Sequence, residues 1–208
     1  GEMTTDDLND FWYRQCYIDL VEEEVAAMKT VGITPSSQSR IVFIGSGPLP
    51  MTAIDMHLQT GAEIVCIDND SDAVSLSRKM IQNMGLSSAI TVNQAEGDKF
   101  DYAGSDIVFV AALASNKDNI VANIRTTAPK AYVAVRSVER GAKSMLYEEI
   151  APDAFLEQGL SHVGSSKDTH ETTFNTTMLF APRELSASSC MACQNACPNR
   201  KFLLGRDV

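Results

Sequence analysis

Apolar residues recur at two periods along this chain. Between Asp6 and Lys29 they fall at helical spacing, with Leu8, Phe11, Trp12, Cys16, Leu20 and Val25 on one face and acids between them. TPSSQS then reads as a loop, and the period changes. IVFIG is a continuous apolar strand, PMTAIDMHLQT a helix and EIVCID a second strand. SDAVSLSRKMIQNM is an amphipathic helix with Ser71 at its N-cap, stopped by Gly85. AITVN, DIVFVAAL and AYVAVRS follow as strands, with helices in DNIVANIRTT and KSMLYEEI. After Gly159, LSHVGSS and TTFNTTMLF are two last strands with no helical run between them.

Five strands linked by helices and then a hairpin predict a mostly parallel, seven-stranded sheet with one antiparallel strand. That layout is α/β, Rossmann-like, and belongs to class I S-adenosylmethionine-dependent methyltransferase folds; an ordinary dinucleotide-binding domain does not end in such a hairpin. The pattern divides the chain into an N-terminal helical extension (1–40), a nucleotide-binding domain (41–182) and a cysteine-rich tail (183–208).

The first strand runs into Gly45-Ser46-Gly47-Pro48-Leu49-Pro50. Gly45 and Gly47 suit a sharp turn that lets a ligand approach the backbone. Pro48 suits the first turn of the next helix, where its missing N–H costs nothing. Pro50 replaces the glycine that would admit a pyrophosphate, which favours S-adenosylmethionine over NAD or FAD. No Gly-Lys-Ser/Thr follows, so a Walker phosphate loop is excluded. Asp68 ends the second strand roughly 20 residues on, where an acid binds ribose hydroxyls; its other reading is a cap for the next helix. Asp98 in AEGD, after the third strand, reads as a partner for an adenine amino group or as a turn residue.

Composition narrows the class further. The chain has 208 residues, 44% of them hydrophobic, and a net charge of -10. That charge argues against nucleic acid as a partner, which requires clustered Lys and Arg. No apolar run reaches the roughly 20 residues of a membrane span. Five cysteines, three of them crowded near the end, do not form a secreted disulfide framework, so the expected location is cytoplasmic.

GSGPLP with MTA, DIVFVAALA, RSVERGAKSMLY and FWYRQCYIDLVEEE together resemble the nicotianamine synthases and the related aminobutyrate transferases of opine metallophore biosynthesis. The resemblance runs from about Phe11 to about Arg183. It implies a transferase that presents the aminocarboxypropyl chain of S-adenosylmethionine, rather than its methyl group, to a small-molecule amine or amino-acid acceptor, releasing methylthioadenosine. It also implies that the residues around Gly45, Ser46, Gly47, Pro48, Asp68, Asp98 and Ala112 hold the cofactor. Phe43 stands where methyltransferases usually carry an acid.

In the family a helical glutamate seven residues after a tyrosine orients the amine and takes its proton; Tyr17 and Glu24 have that spacing here. From spacing alone Glu24 belongs rather to a solvated acidic run, Glu22-Glu23-Glu24; the resemblance brings the two readings level. Tyr13 lines the same wall or belongs to the core. Arg136 either binds a substrate carboxylate or pairs with a surface acid. The family carries a longer helical region before its first strand, which leaves two readings: a trimmed chain, or a compact form with a more open site. The oligomeric state stays open, homodimer included.

The tail reads C-x2-C-x3-C-P at Cys190, Cys193 and Cys197, with Ala187 where a ferredoxin run has its first cysteine. Three thiolates hold zinc or an iron–sulfur cluster if Cys16, His162 or His170 completes the set; otherwise the tail carries exposed thiols. Cys66 reads as a small core residue and His57 as structural.

Overall fold

The strands are apolar on both faces because both faces are covered. In the computed structural model, which describes residues 13–137, 149–167 and 176–184, β1 (Arg40–Ile44) lies between β2 (Glu63–Asp68) and β4 (Ile107–Val110). Its alternate residues face opposite ways. Ile41 and Phe43 pack beneath α1 (Arg14–Thr30), α2 (Met51–Thr60) and α3 (Ser71–Asn83), against Val21, Met28, Ile54 and Val74. Val42 and Ile44 pack beneath α4 (Lys117–Thr127), against Ile120, Val121 and Ile124.

The sheet has seven strands in the order β3-β2-β1-β4-β5-β7-β6, with β3 (Ile90–Gln94), β5 (Tyr132–Ser137), β6 (Leu160–Ser165) and β7 (Thr176–Pro182). β7 runs antiparallel to both β5 and β6. The expected parallel sheet with a closing hairpin is therefore what the chain forms. Strand order reverses between β1 and β4, and this switch point is where open α/β sheets leave a crevice.

Several local expectations need correction. Helix α2 begins at Met51 with Pro50 as N-cap, so Pro48 lies in the turn before it and not in its first turn. The reason is Leu49: a residue preceding proline is pushed out of the helical region, so no helix can run through it. Asp70, not Ser71, caps α3, its carboxylate accepting from Asp72 N (2.8 Å) and Ala73 N (3.4 Å). No helix links β3 to β4. That connection is a set of turns that bury Tyr102, whose hydroxyl donates to Gly97 O at 2.6 Å. The N-terminal helix is described from Arg14, so Leu8, Phe11 and Trp12 lie outside the described residues, as does the expected helix in KSMLYEEI over 143–148.

Helices α1 and α2 are joined by a buried charge pair between Arg14 and Asp55. Burial raises the Asp55 pKa above its usual 3.8, and the Arg14 hydrogen bond and charge only partly offset this. The folded chain thus holds this proton more tightly than the unfolded one. The contribution is fullest below about pH 3.8 and is lost as pH rises through the raised folded value. Asp55→Asn removes that loss. Urea midpoints of the wild type should fall relative to the variant as pH rises above about 4, and parallel curves would show that Asp55 does not titrate in this way.

Candidate active site

At the switch point the chain leaves β1 through two glycines in the left-handed region, Gly45 at φ +71° and Gly47 at φ +68°. Gly45 has a second constraint, since a Cβ there would sit 3.1 Å from Ala111 Cβ at the end of β4. The turn is tied to β2: Gly45 N donates to Ile67 O at 2.9 Å, and Gly47 N donates to Asp68 Oδ2 at 2.8 Å. Asp68 Oδ1 accepts from Asp70 N at 3.0 Å. Asp68 is therefore not the cap of α3. Each of its oxygens takes one backbone N–H and keeps a lone pair for a ligand hydroxyl.

Asp68 and both glycines open onto a cleft of about 370 Å³, whose wall includes Gly97, Asp98 and Leu113. The volume falls in the range that holds a small ligand. Gly97 was not legible as a site residue. A Cβ there would meet Ile44 Cγ2 at 3.0 Å and Ile120 Cδ1 at 3.1 Å, so glycine keeps this floor low. Asp98 lines the cleft half-buried. Its charge adds to the effect of burial in raising the pKa of the Tyr102 hydroxyl. Ala112 is buried instead of lining the cleft, and its carbonyl accepts from Lys117 Nζ at 3.0 Å. The same ammonium donates to Ala114 O at 2.8 Å, so a buried lysine fixes the turn after β4. Pro48 is exposed and lies outside the cleft lining.

A smaller space of about 30 Å³ shares Ile44, Gly45 and Ala111 with the cleft. Its wall also includes Ser46, Phe43, Phe109 and Arg136, with Pro50, Thr52 and Ala53 from the start of α2. The Phe43 and Phe109 rings are stacked, 4.7 Å apart between centroids, and the Arg136 guanidinium lies 5.8 Å from each. Behind Arg136 is Glu24, with no exposed surface. Arg136 Nε donates to Glu24 Oε1 at 3.0 Å and Nη2 to Oε2 at 3.2 Å, while Thr177 Oγ1 on β7 donates to Oε1 at 2.6 Å. The solvated reading of the acidic run fails for two of its three members: Glu22 is exposed, but Glu23 and Glu24 are buried. The acid that Arg136 meets is thus an interior one and not a surface one.

Tyr17 is half-buried against the core, its ring edge-on to Tyr13 at 6.3 Å. Neither tyrosine is among the residues that line the two spaces. Burial pushes the Cys66 thiol up to about 12, so it is a core residue and no nucleophile. His57 is structural, its Nδ1 2.8 Å from Ala62 O. Cys16 and His162 are each half-buried, and His162 Nε2 lies 2.9 Å from Ser165 Oγ. Cys190, Cys193, Cys197 and His170 lie outside the described residues, and no described cluster could hold a metal ion. No described helix is long and apolar enough to cross a membrane.

A glycine turn, an acid at the next strand end and an antiparallel closing hairpin define a class I S-adenosylmethionine-dependent transferase fold. Methyltransferases of known structure share that fold at 10 to 17% identity. A model of the family "Nicotianamine synthase protein" matches residues 2–182, and the chain belongs to that family. It is 30% identical over 165 residues to nicotianamine synthase 3 of Oryza sativa subsp. indica, covering 74% of this chain and 48% of that protein. To L-histidine 2-aminobutanoyltransferase of Pseudomonas aeruginosa it is 26% identical over 107 residues, 51% of this chain and 40% of that one. The crystal structure of MtNAS in complex with MTA and tNA superposes with a TM-score of 0.72 at 25% identity, covering 85% of this chain and 64% of that chain. The chain thus spans less than half the length of these curated relatives.

Proposed function

We propose that this chain transfers the 3-amino-3-carboxypropyl group of S-adenosylmethionine to an amine acceptor, releasing methylthioadenosine, as a step in the synthesis of a metal-chelating product. The nucleoside occupies the cleft, with its ribose hydroxyls on the free lone pairs of Asp68 and its adenine towards Asp98. In the reaction the acceptor nitrogen forms a bond to the chain carbon, the carbon–sulfur bond breaks, and its electron pair stays on sulfur, turning a sulfonium into a neutral thioether. The nitrogen then sheds a proton, which Glu24 receives. Tyr17 lies on the same helix, packed against the core beneath it.

The observation that carries this reading is the buried Glu24 held by Arg136, which itself walls the small space that adjoins the cleft. A carboxylate without exposed surface is costly unless the site uses it or pairs it well. The printed name of the Pseudomonas relative, a 2-aminobutanoyltransferase, supports the same group as cargo. So does the solved complex of MtNAS with MTA and tNA. The shared fold favours one rival, methyl transfer to a small molecule. Phe43 speaks against it, being 3% exposed and stacked on Phe109 where methyltransferases usually place an acid. Mass spectrometry after incubation with S-adenosylmethionine and candidate amino acids separates the two. Methylthioadenosine with an aminocarboxypropylated amine is the expected outcome; S-adenosylhomocysteine as sole nucleoside product would overturn it.

A further inference from the structure

A guanidinium has five N–H donors on two usable edges. Glu24 takes the inner edge of Arg136, through Nε and Nη2. The outer edge, Nη1 with the second hydrogen of Nη2, makes no bond to any described residue. Arg136 is itself one wall of the 30 Å³ space, its side chain is 12% exposed, and the rings of Phe43 and Phe109 lie under it. Three restraints therefore hold the guanidinium in place: a carboxylate on one edge, aromatic faces beneath, and the Thr177 hydroxyl on the carboxylate it meets. A cation so fixed, with one fork unbonded among the described residues and its side chain lining a small cavity, is preorganised for a second planar anion.

The space admits one small group and no more, so an entire acceptor does not fit there. It opens onto the cleft through Ile44, Gly45 and Ala111, which places its occupant next to whatever the nucleoside carries on its 5′ side. Resting on the reading above, we propose that the outer edge of Arg136 binds the carboxylate of the aminocarboxypropyl chain of the donor while its inner edge stays on Glu24. One arginine then bridges the base and the group to be transferred. Arg136 becomes a specificity residue: it selects donors whose chain carries a carboxylate, and it fixes the direction in which that chain leaves the sulfur.

Calorimetric titration with S-adenosylhomocysteine and with its decarboxylated analogue tests this, because the two differ only in the carboxylate and neither is turned over. The wild-type chain should bind S-adenosylhomocysteine about 10- to 100-fold more tightly, the range expected for a charge-assisted bidentate contact. Arg136→Met should bring the two affinities within about threefold of each other while leaving the analogue's affinity unchanged. Arg136→Lys should retain part of the difference, since a point charge replaces the fork. If Arg136→Met does not fold, the double variant Glu24→Gln, Arg136→Met removes both interior charges and carries the same comparison. Equal affinities in the wild type overturn this assignment alone. Loss of both affinities together in Arg136→Met also overturns it, in favour of a purely structural pair. Failure of the wild type to bind either nucleoside overturns both this assignment and the reading beneath it.

Discussion

Glu24→Gln is expected to lower product formation by at least about 100-fold and to leave binding of S-adenosylhomocysteine within a few-fold of wild type. Glutamine matches glutamate in shape, so Thr177 and Arg136 Nε keep an oxygen to donate to, while Arg136 Nη2 loses its acceptor. What is lost is the negative charge that, in the proposed reaction, receives the proton from the attacking amine. The variant also leaves a cation facing a neutral amide. Breaking a buried pair from one side costs roughly 3 to 5 kcal/mol when the remaining charge is sealed in. Arg136 keeps 12% of its side chain exposed and rests on two aromatic faces, so about 1 to 3 kcal/mol is the expected loss. Urea unfolding and single-turnover product assays read the two effects separately. Unchanged turnover with lowered stability would assign Glu24 to the scaffold alone.

Asp68→Ala should weaken nucleoside binding by about 100-fold or more, because two proposed functions go together. The first is direct contact with ribose hydroxyls. The second is the glycine turn itself: Gly47 N donates to Asp68 Oδ2 at 2.8 Å, and without that acceptor a segment with two left-handed residues loses its tie to β2. Asp68→Asn separates them. Its amide oxygen can serve either Gly47 N–H or Asp70 N–H but not both, so binding should fall between wild type and alanine. Asp68 is half-buried and water replaces part of what is lost, so the stability change stays near 1 kcal/mol. Affinity of Asp68→Ala equal to wild type by calorimetry would remove Asp68 from the ligand site.

Much of the fold was legible because its signals are local. IVFIG, EIVCID and DIVFV are uninterrupted apolar runs, and such runs form strands covered on both faces. Two strands with no helix between them, TTMLF and LSHVG, could only close the sheet as a hairpin. Misplaced boundaries arose where neighbouring residues compete for one role. Asp70 and Ser71 both cap helices, and only the packed backbone decides which one does. Pro48 and Pro50 both suit a helix start, and the effect of Pro50 on Leu49 decides between them.

The site was half legible for a similar reason. Gly45, Gly47 and Asp68 lie near one another in sequence, and each type carries its purpose in its chemistry. Glu24 does not. Within Glu22-Glu23-Glu24 nothing distinguishes the third acid from its neighbours; Arg136, 112 positions away, and Thr177, 153 positions away, do so only after folding. Gly97 and Lys117 were missed because one works by the volume it leaves empty and the other by carbonyls it gathers.

The insertion of β7 between β5 and β6 has a consequence for a chain emerging from the ribosome. Strands β1 to β5 leave first, and with them the glycine turn, Asp68 and the fork of Arg136. Thr177 arrives on β7, the last of the described strands, so the hydroxyl that joins Arg136 on Glu24 is delivered after the described residues lining the cleft have been made. A nascent polypeptide can thus shape a nucleoside cleft before its buried acid is locked, and the full set of bonds around Glu24 waits for β7 to dock.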